Sequence, residues 1–176
     1  STLSDMHSAV VSAIGTLKGP LHGGANQAVL EMLQAIRVPE RAAAFVDAKL
    51  SRHEKIMGFG HRVYKHGDPR AQTLKGHSRE LGALCGDMSW YEISVEVENA
   101  VWEKLKLYPN VDFYSASVLH YLGIPSSLFP SLFAMARIAG WCAHILEQYG
   151  DNRLIRPEEQ YIGKGPRRWV ALKDRR

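Results

Sequence analysis

The chain has 176 residues, 45% of them hydrophobic, and a net charge of +4. That length suits one domain or a little more, and that apolar fraction is enough for a core, which excludes wholesale disorder. No uninterrupted apolar run approaches 18 residues, so no transmembrane helix is expected. Two cysteines, Cys85 and Cys142, in no metal-like spacing, argue against a disulfide framework or a zinc site and for a reducing compartment.

In chain order the pattern is helical. Residues 2–15 place Leu3, Met6, Val10, Ala13 and Ile14 at helical spacing, and Gly15 with the Gly19-Pro20 pair ends the segment. The start, "STLSDMHSAVV", has no basic n-region of a signal peptide. It reads as a helix already under way, as expected of a fragment or a cleavage product. From Gly24 a second helix carries Val29, Leu30, Leu33 and Ile36 on one stripe, and Pro39 suits the first turn of a third. "GFGHRVYKHGDPR" is glycine-rich and polar, hence a loop, and Pro69 opens a helix to about Cys85. Residues 89–107 place Ile93, Val97, Val101 and Leu105 at helical spacing. After the "YPNVD" break the pattern resumes over 113–122 and breaks again at Gly123 and Pro125. "SLFAMARIAGWCAHILEQYG" is the most apolar helix and is expected to be the most buried, with Met135 and Trp141 in the core. From Asp151 on there is little periodicity, as in a tail. The basic run "KGPRRWVALKDRR" reads as a solvated tail. The fold class is all-α.

Three polar residues fall at breaks between helices: His22, His61 and Asp112. Each has an ordinary reading. A loop histidine can be a surface residue, and Asp112 can cap a helix starting at Phe113. The chemical reading is more specific. His22, in "GPLHGGAN", stands before a helix whose N–H groups and partial positive charge disfavour imidazolium. A neutral imidazole donor beside a carboxylate suits proton abstraction next to a carbonyl, the aspartate as base and the imidazole stabilising the enolate oxygen. Arg70, Arg137 and Arg156 add sites for a carboxylate. Arg137, inside an apolar helix, reads equally as half of a structural ion pair or as a substrate clamp. His120 and His144 read as structural, His7, His53 and His77 as surface residues, and the cysteines as small buried residues. The arginines form no single stripe, which disfavours nucleic-acid binding. His61 and His66 have no HExxH-like acid between them, which disfavours a metal hydrolase.

"GPLHGGANQAVLEML", "KIMGFGHRVYKHGDPRA" and "NVDFYSASVLHYLGIP", in this order, resemble the citrate synthase family, including the bacterial citrate and 2-methylcitrate synthases. The resemblance covers essentially the whole chain. It implies an all-helical homodimeric cytoplasmic enzyme that condenses an acyl-CoA with oxaloacetate and hydrolyses the thioester. It needs no permanent cofactor and no metal, with acetyl-CoA as co-substrate. By that resemblance His22 is the enolising histidine, His61 the histidine that donates a proton to the oxaloacetate carbonyl, and Asp112 the base. Arg70, Arg137 and, across the dimer, Arg156 hold oxaloacetate, with Phe133 lining the same site. Lys55, Ile56, Gly58, Phe59 and Gly60 belong to the loop around coenzyme A, and Lys65 meets its phosphates. Residues 24–123 would be the small domain, and 1–23 and 124–176 pieces of the large one. Family members are roughly twice this length, so the chain is expected to be a C-terminal fragment, inactive alone. In isolation, helices 1–15 and 128–149 should carry unpaired apolar faces. An interaction module without catalysis is the other reading.

Overall fold

The computed structural model describes residues 1–19 and 22–175. Pro20, expected to help end the first helix, lies outside the described residues, as do Leu21 and Arg176. Seven α-helices follow one another among the described residues, joined by loops and short 3-10 turns. Among the described residues the nearest approach to a strand pair is one antiparallel bridge, Phe59 to Pro109.

Helix α1 (Met6–Leu17) starts later than the apolar spacing suggests, because Leu3 takes φ 59° and Asp5 is extended. The Asp5 carboxylate caps it by accepting from Ser8 N–H at 3.0 Å. Helix α2 (Ala25–Ile36) buries Val29, Leu30, Leu33 and Ile36, the predicted stripe. Pro39 opens a 3-10 turn, Pro39–Arg41, not the α-helix expected there, and α3 (Ala42–Ser51) follows it. Helix α4 (Pro69–Cys85) runs as expected, from the Asp68 cap to Gly86 at φ 69°. Helix α5 (Ser89–Leu105) buries Ile93, Val97 and Val101, whereas Leu105, at its end, is exposed. Helix α6 spans Val111–Tyr121.

The core lies where α2, α5 and α6 meet, closed by α3 and by Phe129. Phe113 and Tyr114, adjacent on α6, are fully buried there. Truncating either to alanine would cost about 3–5 kcal/mol. Among the described residues the buried side-chain polar atoms are matched. Ser78 and Ser117 hydroxyls meet at 2.8 Å, Lys75 Nζ pairs with Glu98 at 2.7 Å, and the Tyr114 hydroxyl donates to Glu98. Burial and the Glu98 carboxylate push the Tyr114 hydroxyl far above the usual tyrosine range, so it stays a donor. Helix α4 lies along α6, so this network ties the helix that carries Asp112 to its neighbours.

Helix α7 (Phe129–Gly150) corrects two expectations. It is the least buried long helix: only Phe129 is buried, and Met135, assigned to the core, is 71% exposed. Trp141 is half-buried. Within this chain α7 packs chiefly on α1 and α2, which cover part of one face. Helix α1 likewise buries only Leu17 and leaves Val11 and Ile14 exposed. Both helices thus carry the unpaired apolar faces expected of them. An 18-residue window within Ser126–Gly150 has a mean hydropathy of 1.2, so this helix is long and apolar enough by composition to cross a membrane although polar residues interrupt it. Cys85 is exposed at the end of α4, contrary to its reading as a buried residue, because the helix ends there before a surface turn. Cys142 is half-covered.

Candidate active site

Asp112 sits in the first turn of α6. The capping role that it could have filled belongs to Asn110, whose side-chain oxygen accepts from Asp112 N–H at 3.0 Å. The Asp112 carboxylate therefore has no hydrogen-bond partner among the described residues. Burial pushes it above the usual aspartate range, and Asp68 adds to that push. The Arg70 guanidinium and the nearby His22 ring pull the other way and do not cancel it. A half-buried carboxylate with free lone pairs beside an imidazole and a guanidinium is poised to accept a proton.

The loop before α4 lies directly on α2 and α6. At Gly58 (φ 87°) an added Cβ would stand 2.9 Å from Phe113 Cβ and 2.9 Å from Val29 Cγ2, so glycine is required both for its backbone and for its lack of a side chain. Gly58 C=O accepts from Asn110 N–H at 2.8 Å, and Gly60 N–H donates to Tyr108 C=O at 2.9 Å. Phe59 packs on Phe113 with ring centroids 4.5 Å apart. His61 follows at once. Its Nδ1 accepts from the N–H groups of Val63 and Tyr64, both at 3.0 Å. In the neutral ring the proton is then on Nε2, the donor left for a ligand. Lys65 bends back so that Nζ donates to His61 C=O at 3.2 Å.

Arg70 is held by a residue that the sequence reading did not single out. Asp68, 2% exposed, accepts from Arg70 Nε at 3.0 Å and from Nη2 at 2.8 Å, and also caps α4. Burial pushes the Asp68 carboxyl upward, but the Arg70 hydrogen bonds and charge, with His61 nearby, hold it below the usual range. Its native value is lowered, so its contribution to stability is present above the ordinary aspartate range and is lost as pH falls through the lowered value. Asp68→Asn should cost about 1–3 kcal/mol at neutral pH, less than a fully buried pair because the Arg70 side chain is 40% exposed. Urea midpoints at pH 7 and in acid test this: the variant should lose part of the parent's acid sensitivity, and equal pH slopes would refute the assignment.

His22 lies before α2 on a backbone turned tightly by glycine. Its N–H donates to Gly19 C=O at 3.1 Å, and its C=O accepts from Ala25 N–H at 3.0 Å. Gly23 N–H reaches Leu17 C=O at 2.9 Å, where a Cβ on Gly23 would stand 2.4 Å from that oxygen. The His22 ring meets Phe133 edge-on at 5.3 Å, and the Arg137 guanidinium lies over the same phenylalanine at 5.6 Å. No carboxylate among the described residues lies within ion-pair distance of Arg137.

Two clefts result. One, of about 710 Å³, is lined by all six residues assigned to coenzyme A together with His61 and Asp112. The other, of about 510 Å³ between α1 and α7, holds His22 and Arg137. His144, read as structural, is an exposed residue of that second cleft. Arg156 lies exposed on the tail and lines neither. Asp68 and Asn110 were legible only as turn residues, in "GDPR" and "PNVD".

The family model described as citrate synthase, C-terminal domain, matches residues 1–158. The chain belongs to the citrate synthase family. Citrate synthase 2 of Bacillus subtilis is 55% identical over 175 residues, 99% of this chain and 47% of its own length. A 2-methylcitrate synthase of Shewanella oneidensis is 47% identical over the same span. The chain thus spans about half the length of the curated relatives it matches. Among solved structures, the citrate synthase of Thermotoga maritima superposes with a TM-score of 0.87 at 45% identity, covering 99% of this chain and 48% of that one. That of Thermoplasma acidophilum, in a ternary complex with carboxymethyl coenzyme A and oxaloacetate, does so with 0.89 at 37% identity, at the same coverage. The citrate synthase fold thus accounts for the seven-helix arrangement and for the lack of sheet among the described residues.

Proposed function

We propose that this chain supplies the catalytic half of a citrate synthase-type acyltransferase, which condenses acetyl-CoA with oxaloacetate and releases citrate and CoA. The observation that carries this reading is Asp112: a carboxylate free of hydrogen bonds, raised by burial, near His22 and Arg70, on the wall of the cleft formed by the Gly58–Gly60 loop. Asp112 takes a proton from the carbon next to the thioester carbonyl, and His22 donates a hydrogen bond to the enolate oxygen. That carbon attacks the oxaloacetate ketone, whose oxygen accepts a hydrogen bond from His61 Nε2–H and gains a proton as the new bond forms. Water then cleaves the thioester, and the CoA thiol leaves. Arg70, Arg137 and Arg156 of the partner subunit hold the oxaloacetate carboxylates, with Phe133 beneath Arg137. Lys55, Ile56, Gly58, Phe59, Gly60 and Lys65 receive coenzyme A.

The reading carries with it a cytoplasmic homodimer in which residues 24–123 form the small domain. An N-terminal half and the second subunit cover the apolar faces of α1 and α7, and this chain alone is inactive. The name of the Shewanella relative supports a second substrate, propionyl-CoA, for the same chemistry. One methylene in an apolar pocket is worth about 1–3 kcal/mol, so one thioester should be preferred by roughly 10- to 200-fold. Release of CoA thiol by the complete protein, with oxaloacetate and each thioester in turn, tests both. No thiol release above background with either would overturn the proposal.

A further inference from the structure

The side-chain amide of Asn110 touches two peptide units at once. Its Nδ2 donates to Gly60 C=O at 3.1 Å, and its Oδ1 accepts from Asp112 N–H at 3.0 Å. The Gly60 carbonyl belongs to the peptide that leads into His61, and the Asp112 N–H belongs to the peptide that leads into the base. Turning the amide over would set nitrogen against N–H and oxygen against carbonyl, so both contacts agree on one orientation. The Asn110 backbone adds a third link, its N–H to Gly58 C=O at 2.8 Å. Asn110 itself is half-buried and lines the same cleft as His61 and Asp112.

We propose that Asn110 is a positioning residue that sets the His61 backbone and the Asp112 backbone relative to each other. The inference rests on the reading of these two as hydrogen-bond donor and base. His61 and Asp112 are far apart in sequence and sit on separate elements. Each has its own local support: His61 from the N–H groups of Val63 and Tyr64, Asp112 from the helix it opens. Asn110 is the side chain that joins the two supports directly. Attack on the ketone needs the base and the donor placed at once on opposite reactants, and small misplacements of such groups are costly in rate.

Asn110→Ser separates this role from capping. Serine is a good N-cap and can still accept from Asp112 N–H, but it is too short to reach the Gly60 carbonyl. In the complete enzyme, N110S should melt within about 2 °C of the parent and bind oxaloacetate as tightly. Its kcat should fall by about 10- to 100-fold. Unchanged kcat, or a loss of kcat that merely follows a lower melting temperature, would overturn the proposal. Asp112→Asn measured alongside tells two failures apart. If D112N keeps parental turnover, the reading of the site falls and this inference with it. If D112N is inactive while N110S is unaffected, the coupling alone is wrong.

Discussion

Asp112→Asn in the complete enzyme is expected to lower condensation turnover by about 10²- to 10⁴-fold while making the protein more stable. Both effects come from one environment. Burial raises the native value of the Asp112 carboxyl, so the native state holds this proton more firmly than the unfolded chain does. Its ionisation therefore costs stability. The cost is absent in acid, sets in as pH rises past the ordinary aspartate range, and is complete above the raised native value. Asparagine has the same shape and no charge to desolvate, so at neutral pH the melting temperature should rise by roughly 2–4 °C. The Asp112 N–H bond to Asn110 is a backbone contact and survives the change. The acidic limb of the parent's kcat/KM profile should lie above the ordinary aspartate range, because the base works only when ionised. A variant that is both active and less stable would contradict the assignment of this carboxylate.

Gly58→Ala is expected to destabilise the protein by about 2–5 kcal/mol, and Gly60→Ala by only about 1–2. The two glycines share the strained backbone region, with φ 87° and 79°, so both variants bear the conformational cost. They differ in surroundings. A Cβ at Gly58 would be driven to 2.9 Å from Phe113 Cβ and Val29 Cγ2, whereas at Gly60 nothing lies within 4 Å. Phe113 and Val29 are fully buried, in helices that cannot move apart without opening the core. The extra loss in G58A is therefore an overpacking cost. Midpoints of urea unfolding, at unchanged slope, measure the difference. Equal losses would mean that the loop does not rest on α2 and α6 as described. Because the same loop lines the cleft beside His61, G58A should also raise KM for the acyl-CoA by several-fold.

How much was legible depended on how local the signal was. The stripe Val29, Leu30, Leu33 and Ile36 predicted the buried face of α2, because side chains at those spacings share one side of any helix. Pro69 predicted the start of α4, because a proline fits the first turn of a helix, where its missing N–H costs nothing. Apolar content misled at α7. It tells that a surface is suited to packing, and the rest of this chain leaves most of that surface exposed. Asp112 stood in a helix-capping stretch, but spacing did not tell which residue caps. Asn110 took that place and left the carboxylate free.

The sequence by itself determined the helices, their boundaries to within a turn at most ends, and the three motifs that resemble the citrate synthase family. These follow from periodicity, capping and turn chemistry, which act over a few residues. Only the tertiary structure decided that Asp68 grips Arg70, that His61 is left with Nε2 as its free donor, that burial raises Asp112, and that one asparagine amide spans Gly60 and Asp112. Those facts depend on which atoms meet across gaps of up to 50 residues and on how much water is excluded where they meet, and neither is written into local spacing.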